Sequence, residues 1–507
     1  MGTAVRLPAE LTDFLQLPGP QSLIVRGPPG SGKTTLGLAL LERAAGVKTL
    51  VSNRVSSDEL IREFPWLGKD GASRIQLVDT TDAQYEDVPA AKRGASKLLE
   101  TERTDRNQLT EFFALPSAMQ RAWSQLPSDA PSTVVVDSWD ALIENALTHG
   151  TTRPDGPTDR ASIERTLLRW MGRAPTHLVL VLETDQQSQL DYLVNGVVVT
   201  RRELVDDRLE RWLHLPKLRG IRIANATYPY TVEGAKFQCI EPLRPYAEIH
   251  RGDIDPKPDE MPGFIWPGSR SFAEAFGRLA LGRVTLIEVD DEVPDYVVQH
   301  LLTPPKIQTV TSGGRMMVIP SPSLTADDIF LPIEDARPAG RLSDVFRVLD
   351  VSGQLARATR VSHPERSACL LSTKLLSAPD ATTDPDDNEI SRWLSGGLRG
   401  GAPSLATMYE TGVEALGIAL KAPITPEATR ALAASVQSSL VGGNHHVIAV
   451  GRTNSPLLQP IRALASIHLR LMDRQGRELI YGLKPWTPGF VLTESRGAGP
   501  YDLLRIV

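Results

Sequence analysis

Cysteine is almost missing from this 507-residue sequence, which holds only Cys239 and Cys369. Two thiols so far apart build neither a disulfide framework nor a thiolate metal cluster, and they read as core residues in a reducing compartment. Long apolar runs are lacking as well. No stretch of about 18 apolar residues occurs, and the N-terminal MGTAVRLPAELTDF has no charged region followed by a long apolar one. Neither a membrane span nor a secretory signal is expected, so the chain reads as cytoplasmic. A basic excess is also absent: the formal net charge is −6. That excludes a general field for nucleic acid, though not a local patch. What remains is ordinary for a soluble globular protein, 41% hydrophobic and 23% charged. At this length two domains of roughly 200 to 250 residues are expected.

Near the start stands SLIVRGPPGSGKTTLGLALLERA, an apolar strand, a glycine-rich loop and a helix opening in that order. Gly27, Pro28, Pro29, Gly30, Ser31, Gly32, Lys33 and Thr34 fit GxxxxGK[ST], the P-loop. Glycines let successive backbone N–H groups turn onto a polyphosphate, and the helix that follows presents the positive end of its dipole. Lys33 is expected on the β and γ phosphates of ATP, Thr34 on Mg²⁺, and Thr35 completes the binding set.

Further along, Lys48–Ser52 reads as a strand. A helix follows, capped by Ser56 or Ser57, with Asp58 and Glu59 in its first turn. Ile75–Val78 is another strand. The charged region from Tyr85 to Pro131 forms helices, with Phe112, Phe113, Leu115, Met119 and Trp123 as one buried stripe. STVVVDSWDALIENAL is an apolar strand that ends at Asp137 and opens a helix. About 100 residues after a P-loop, such a strand-end acid is the expected second carboxylate of the Mg²⁺ site. Its alternative is a helix cap. His177–Leu182 is a buried strand with Glu183 and Asp185 at its end. Glu183 either senses the nucleotide or is a solvated loop acid. VNGVVVTRREL and RLERWLHLPKLRG then form a hairpin about Asp206 and Asp207, and Tyr228–Val232 adds a short strand. Strands alternating with helices, closed by a hairpin, predict a mainly parallel sheet with an antiparallel extension.

GPPGSGKTT, VVVDS, LPKLRG and YPYTVEG together resemble the RecA-type P-loop ATPases of the KaiC and RadA branch, over about residues 7 to 240. The resemblance implies that Lys217 and Arg219 act in trans, reaching the γ-phosphate held by a neighbouring copy and coupling nucleotide state to assembly. The other reading of these two residues is a solvated hairpin end. Further copies of the chain, arranged for example as a hexameric ring, are the expected partners. One departure stands out. KaiC-like ATPases usually carry paired glutamates at the end of the strand after the P-loop helix, and here that place holds Asn53 and Arg54. Neither is a carboxylate base, which predicts tight Mg-ATP binding with hydrolysis slowed by roughly 10² to 10⁴. The P-loop, SNRVSSDELIREFPWL and the overall length also resemble the archaeal gas-vesicle regulatory ATPases of the GvpD family. That resemblance implies a repressor acting through a protein partner.

EIHRGDIDPKPDEMPGFIWPGSRS, residues 248–271, is rich in proline, glycine and charge and reads as a linker between domains 1–247 and 272–507. Beyond it the pattern restarts. A helix, a strand at Val284–Val289, an acidic turn and a helix starting near Pro294 repeat the order of the P-loop region. Asp290, Asp291 and Glu292 would repel phosphate. HHVIAVGRTNSP matches THLVLVLETD in design, Lys484 falls opposite Lys217, Trp486 replaces Arg219, and Glu410 is the nearest acid to the Asp137 place. His445 and His446 point to opposite strand faces and read as structural. Ser377–Ile390 is an acidic, proline-bearing loop.

The fold class expected is therefore α/β: two RecA-like domains with mainly parallel sheets, the second degenerate. The function expected is an ATP-binding switch with slow hydrolysis that signals through assembly or a protein partner. The rival is an active DNA-dependent motor, which leans on Arg201 and Arg202. A kinase reading would need a Ser or Thr presented to a neighbour's γ-phosphate, and none can be placed.

Overall fold

The structure, a computed structural model, describes residues 5–68, 75–79, 111–112, 115–127, 130–148, 159–171, 176–241, 243, 249–257, 263–321, 323–336, 341–351, 353–359, 363–372, 407–415, 445–495 and 499–507. The chain divides into one compact unit of residues 1–241 with 506–507 and another of 242–505. Phe113 and the acidic loop Ser377–Ile390 lie outside the described residues.

In the first unit the apolar runs become β1 (Ser22–Arg26), β2 (Val47–Ser52), β3 (Ile75–Asp79), β4 (Ser132–Asp137), β5 (Thr176–Leu182), β6 (Gly196–Val205), β7 (Arg208–Leu218), β8 (Thr227–Thr231) and β9 (Gln238–Cys239). They form a single sheet in the order β3-β2-β4-β5-β1-β6-β7-β8-β9. Pairing is parallel from β3 to β6 and antiparallel from β6 to β9. The Asp206 and Asp207 turn carries positive φ at both residues (49° and 58°), which matches the twist of the β6–β7 hairpin. β1 therefore sits in the middle of the sheet with β5 and β6 on its two sides. The helix after it, Lys33–Arg43, is buried from Thr35 to Leu41 against the sheet. On the other face Phe112, Leu115 and Met119 join the core of Ile24, Val136 and Leu180. Trp123 packs on that cluster half-buried, edge-on to Trp170 with ring centres 5.6 Å apart. Ser56 caps helix Ser57–Glu63, and Glu59 answers it in a capping box.

The second unit contains β10 (Phe264–Ile265), β11 (Leu279–Ala280), β12 (Arg283–Val289), β13 (Arg315–Ile319), β14 (Phe346–Asp350), β15 (Leu370–Ser372), β16 (Thr407–Gly412), β17 (His445–Arg452), β18 (Ile467–Asp473), β19 (Glu478–Lys484), β20 (Phe490–Thr493) and β21 (Asp502–Arg505). Its large sheet runs β15-β14-β13-β16-β17-β12-β18-β19-β20-β21. With β15 set aside, this is the strand order of the first unit, with β12 in the place of β1. The same switch from parallel to antiparallel falls after β18. The restart of the pattern beyond residue 271 is thus a second copy of the fold.

Of the expected linker, residues 249–257 and 263–271 are described, and they belong to the second unit. Its β10 strand pairs with β11, the Trp266 indole donates to the Asp255 carbonyl at 2.9 Å, and Ile249 and Ile265 are buried in the second unit's core. Proline and glycine there shape a folded entry segment, because the apolar residues interspersed among them have a core to join.

His446 is buried between the Thr285 hydroxyl (3.1 Å) and the Ala280 carbonyl (2.7 Å), and burial lowers its pKa to about 4. It is a structural histidine. Cys239 and Cys369 are both buried free thiols. Among the described residues no helix is long and apolar enough to cross a membrane.

Candidate functional site

The loop Gly27–Gly32 leaves the carboxyl end of β1 and enters helix Lys33–Arg43, whose first N–H groups have no partner within the helix. Two glycines are required by geometry. A Cβ on Gly27 would stand 2.2 Å from the Thr200 carbonyl oxygen, and Gly32, at φ 80°, is the residue from which the helix starts. Pro28 is half-buried, while Pro29 and Gly30 are exposed at the loop crest. Thr35 is buried in the first helical turn.

Lys33 Nζ donates to the carbonyls of Gly27 (2.7 Å) and Pro28 (3.0 Å). The ammonium thus lies within the loop, where burial lowers its pKa against the raising influence of Asp137 and Glu183. The Thr34 hydroxyl donates to Asp137 Oδ2 at 2.6 Å. Burial pushes the Asp137 carboxyl up, and Thr34, Lys33 and Arg54 act in the opposite direction. A hydroxyl and a strand-end carboxylate in contact beside a lysine-bearing loop form a hard oxygen donor set. These residues fit Mg²⁺ bound together with a polyphosphate.

The loop is held from the antiparallel side of the sheet, which residue-by-residue reading did not foresee. Ser31 Oγ meets Thr200 Oγ1 of β6 at 2.7 Å, Arg211 of β7 donates to the Gly30 carbonyl at 2.7 Å, and the Tyr230 hydroxyl of β8 donates to the Ser31 carbonyl. Tyr230 is itself stacked on Phe237 with ring centres 4.5 Å apart. The stretch YPYTVEG was the one signal available for this support. Arg202 also comes to the loop: a Cβ on Gly30 would lie 3.1 Å from its Nη1.

Asn53, at the place where a glutamate base was sought, is engaged in structure. Its side chain accepts from the Ser138 N–H and donates to the Ser138 carbonyl, both at 2.9 Å, and its own N–H donates to the Asp137 carbonyl at 3.2 Å. Arg54 forms an ion pair with Glu183. Glu183 is placed by a backbone bond to Asp140 (2.6 Å), which in turn pairs with Arg160 at 2.7 Å. Glu183 thus pairs with Arg54 while its side chain stays partly exposed.

Lys217 and Arg219 are not brought to this chain's own P-loop. Lys217 pairs with Val197 near the start of β6, whereas the loop abuts Thr200, three residues further on and so about 10 Å away. Lys217 Nζ donates to the Asp191 carbonyl at 2.6 Å and Arg219 to the Tyr192 carbonyl at 3.1 Å.

The second unit shows what happened to its copy of the site. Leu23 pairs with Gly196, the first residue of β6, and Thr285 with Ile467, the first residue of β18. In that register Gly27–Gly32 corresponds to Val289–Pro294, Lys33 to Asp295 and Glu183 to Arg452. The charges are exchanged. Arg452 donates to the Asp290 carbonyl (2.8 Å), the Val293 carbonyl (2.9 Å) and Asp295 (2.7 Å), sealing the loop with the chain's own cation. The cavity beside it is small, about 30 Å³. Asp290 accepts from Thr453 (2.8 Å) and Arg470 (3.2 Å), so it is not simply a solvated turn acid. Lys484 does hold the Lys217 position, each pairing with the second residue of the neighbouring strand. Trp486 beyond it is 60% exposed, on the surface as a residue in the Arg219 place would be. Glu410 is not the counterpart of Asp137. That place falls to Gly412, two residues later, while Glu410 is buried against Lys306 at 2.8 Å.

A P-loop after the central strand, with a strand-end acid one strand beyond its neighbour, defines a RecA-like nucleotide-binding domain, here followed by a degenerate copy. Comparison with known families narrows the first half further. Residues 11–216 match the family described as GvpD gas vesicle protein, P-loop domain. Protein GvpD1 of Halobacterium salinarum (strain ATCC 700922 / JCM 11081 / NRC-1) is 31% identical over 249 residues, 47% of this chain and 41% of that protein. Protein GvpD2 of the same organism is 32% identical over 250 residues, 46% of this chain and 44% of that protein. The matched stretch spans less than half the length of either relative. The P-loop domain of this chain is thus close to that of GvpD.

Proposed function

We propose that the protein is an ATP-binding regulatory switch with slow hydrolysis. Mg-ATP is held by Gly27–Thr35 with Thr34 and Asp137 on the metal, and nucleotide state is passed on through assembly or a protein partner in the cytoplasm. The single observation that carries this reading is the pairing of an intact site with Asn53. The Thr34–Asp137 contact at 2.6 Å is present, yet the side chain at the usual base position is an amide bonded to Ser138. An amide cannot accept the proton of an attacking water, which favours holding ATP over consuming it. Similarity to GvpD supports gas-vesicle regulation as the process. The placement of Lys217 and Arg219 away from their own loop suits a contact to the γ-phosphate held by a neighbouring copy.

Light scattering with ATP, ADP and no nucleotide, on wild type and Lys33→Ala, tests this proposal. Growth in mass with ATP that Lys33→Ala abolishes is expected. Equal mass in all three states, with turnover of many per second, would overturn it.

A DNA-dependent ATPase is the second reading, favoured by the exposed Arg201 and Arg202, which open the exposed second half of β6. It requires turnover stimulated by DNA and a salt-dependent shift on DNA.

A further inference from the structure

β4 lies between β2 and β5, with Ser52 beside Asp137 and Asp137 beside Val181. Arg54 follows β2 by two residues and Glu183 follows β5 directly. Their ion pair therefore spans two strand spacings, about 10 Å, over the end of β4 that carries Asp137. Both ends of the span are fixed by backbone bonds. The Asn53 N–H is on the Asp137 carbonyl at 3.2 Å and the Glu183 N–H on Asp140 Oδ2 at 2.6 Å. The side chains themselves are reachable from solvent, Arg54 56% and Glu183 32% exposed. Both charges act electrostatically on Lys33 and Asp137.

From this arrangement we infer that Arg54 is a specificity-determining residue for the terminal phosphate, and that Glu183 is the partner it leaves when a nucleoside triphosphate enters. This rests on the nucleotide-switch reading above. A triphosphate seated on the P-loop puts its γ-phosphate beside the end of β4, beneath the Arg54–Glu183 span. A terminal phosphate group carries more negative charge than one carboxylate, and two of its oxygens take a guanidinium bidentately. A diphosphate ends short of the span and leaves the pair closed. The site thereby distinguishes ATP from ADP by exchanging one ion pair for another, and the released Glu183 carries the nucleotide state to the surface formed by Asp140 and Arg160.

The test is fluorescence titration of wild type, Arg54→Gln, Glu183→Gln and Lys33→Ala with mant-ATP and mant-ADP in Mg²⁺. Circular dichroism checks that each variant is folded. Arg54→Gln is expected to weaken mant-ATP at least tenfold and mant-ADP less than threefold. Glu183→Gln is expected to tighten mant-ATP severalfold with mant-ADP unchanged, because Arg54 starts unpaired. Equal shifts for the two nucleotides in both variants would overturn the inference, while a loss of about 100-fold in Lys33→Ala would leave the P-loop reading intact. Failure of the wild type to bind either nucleotide would overturn both.

Discussion

Thr34 Oγ1 and Asp137 Oδ2 stand 2.6 Å apart although 103 residues separate them in the chain. The contact is a product of strand order, since helix Lys33–Arg43 starts beside β1 while Asp137 ends β4, two places away in the sheet. Thr34 and Asp137 are the residues that would hold Mg²⁺ brought in with a nucleotide. Asp137→Asn is therefore expected to remove the Mg²⁺ dependence of ATP affinity, with metal-free affinity changed little. Titrations with and without EDTA measure this.

Lys33 donates to the carbonyls of Gly27 and Pro28, bonds that a phosphate on the loop would compete for. Lys33→Ala is expected to weaken ATP about 100-fold, or roughly 2.7 kcal/mol, because a charge-assisted contact to polyphosphate is lost. Isothermal titration calorimetry measures the loss.

Asn53 offers a test that separates chemistry from structure. Restoring a carboxylate with Asn53→Glu is expected to give no rise in hydrolysis. The new side chain has no N–H to give the Ser138 carbonyl, and losing such a buried bond costs about 1 to 3 kcal/mol. Phosphate release and urea denaturation of the two proteins would show it.

Lys217 and Arg219 lie away from their own phosphate loop, so the double change Lys217→Ala and Arg219→Ala is expected to abolish ATP-dependent assembly. ATP binding by a single chain should stay within about threefold, less than 1 kcal/mol. Light scattering set beside calorimetry would reveal the split. Equal loss of both would mean the residues act within one chain.

Glu288 in the second unit predicts a pH dependence. Burial would raise its pKa, yet hydrogen bonds from His468 (2.6 Å) and Arg462 (2.5 Å) outweigh burial and hold it at about 2. A carboxyl with a folded pKa below the unfolded value stabilises above the unfolded value, and that contribution is lost as pH falls through the folded one. Wild type should lose about 2 to 3 kcal/mol between pH ~4.5 and ~2 from this group. Glu288→Gln should be less stable at pH 7 and flatter across that window in denaturant titrations.

Much of this site could be read before any fold was known, because its parts are local. The P-loop is a contiguous motif, Asp137 ends an apolar run of valines, and the Asp206 and Asp207 turn sits between two alternating strands. What could not be read was set by partners far away in the chain. The amide of Asn53 acquires its role only because β2 lies beside β4 and offers it the Ser138 peptide. Tyr230 and Arg211 hold loop carbonyls about 200 residues upstream, a relation for which the sequence offered only the motif YPYTVEG around Tyr230. Glu410 misled because proximity in sequence to a strand end is no substitute for register: pairing with β17 and β12 assigns the Asp137 place to Gly412. Around Ile249 and Ile265 composition records turns but not what the residues between them pack against, which here is the second unit's core.

The exchange of charge between Lys33 and Glu183 in one unit and Asp295 and Arg452 in the other has a consequence for stoichiometry. In the second loop the lysine place holds an acid, Asp295, and the Arg452 guanidinium is tied to that acid and to the loop carbonyls, so no cation is left there for a phosphate. On the proposed reading, each chain would contribute one nucleotide site and one copy of the same fold without one. Nucleotide titrations should saturate at one per chain, and any ring of such chains would respond in as many steps as it has members, not twice that number.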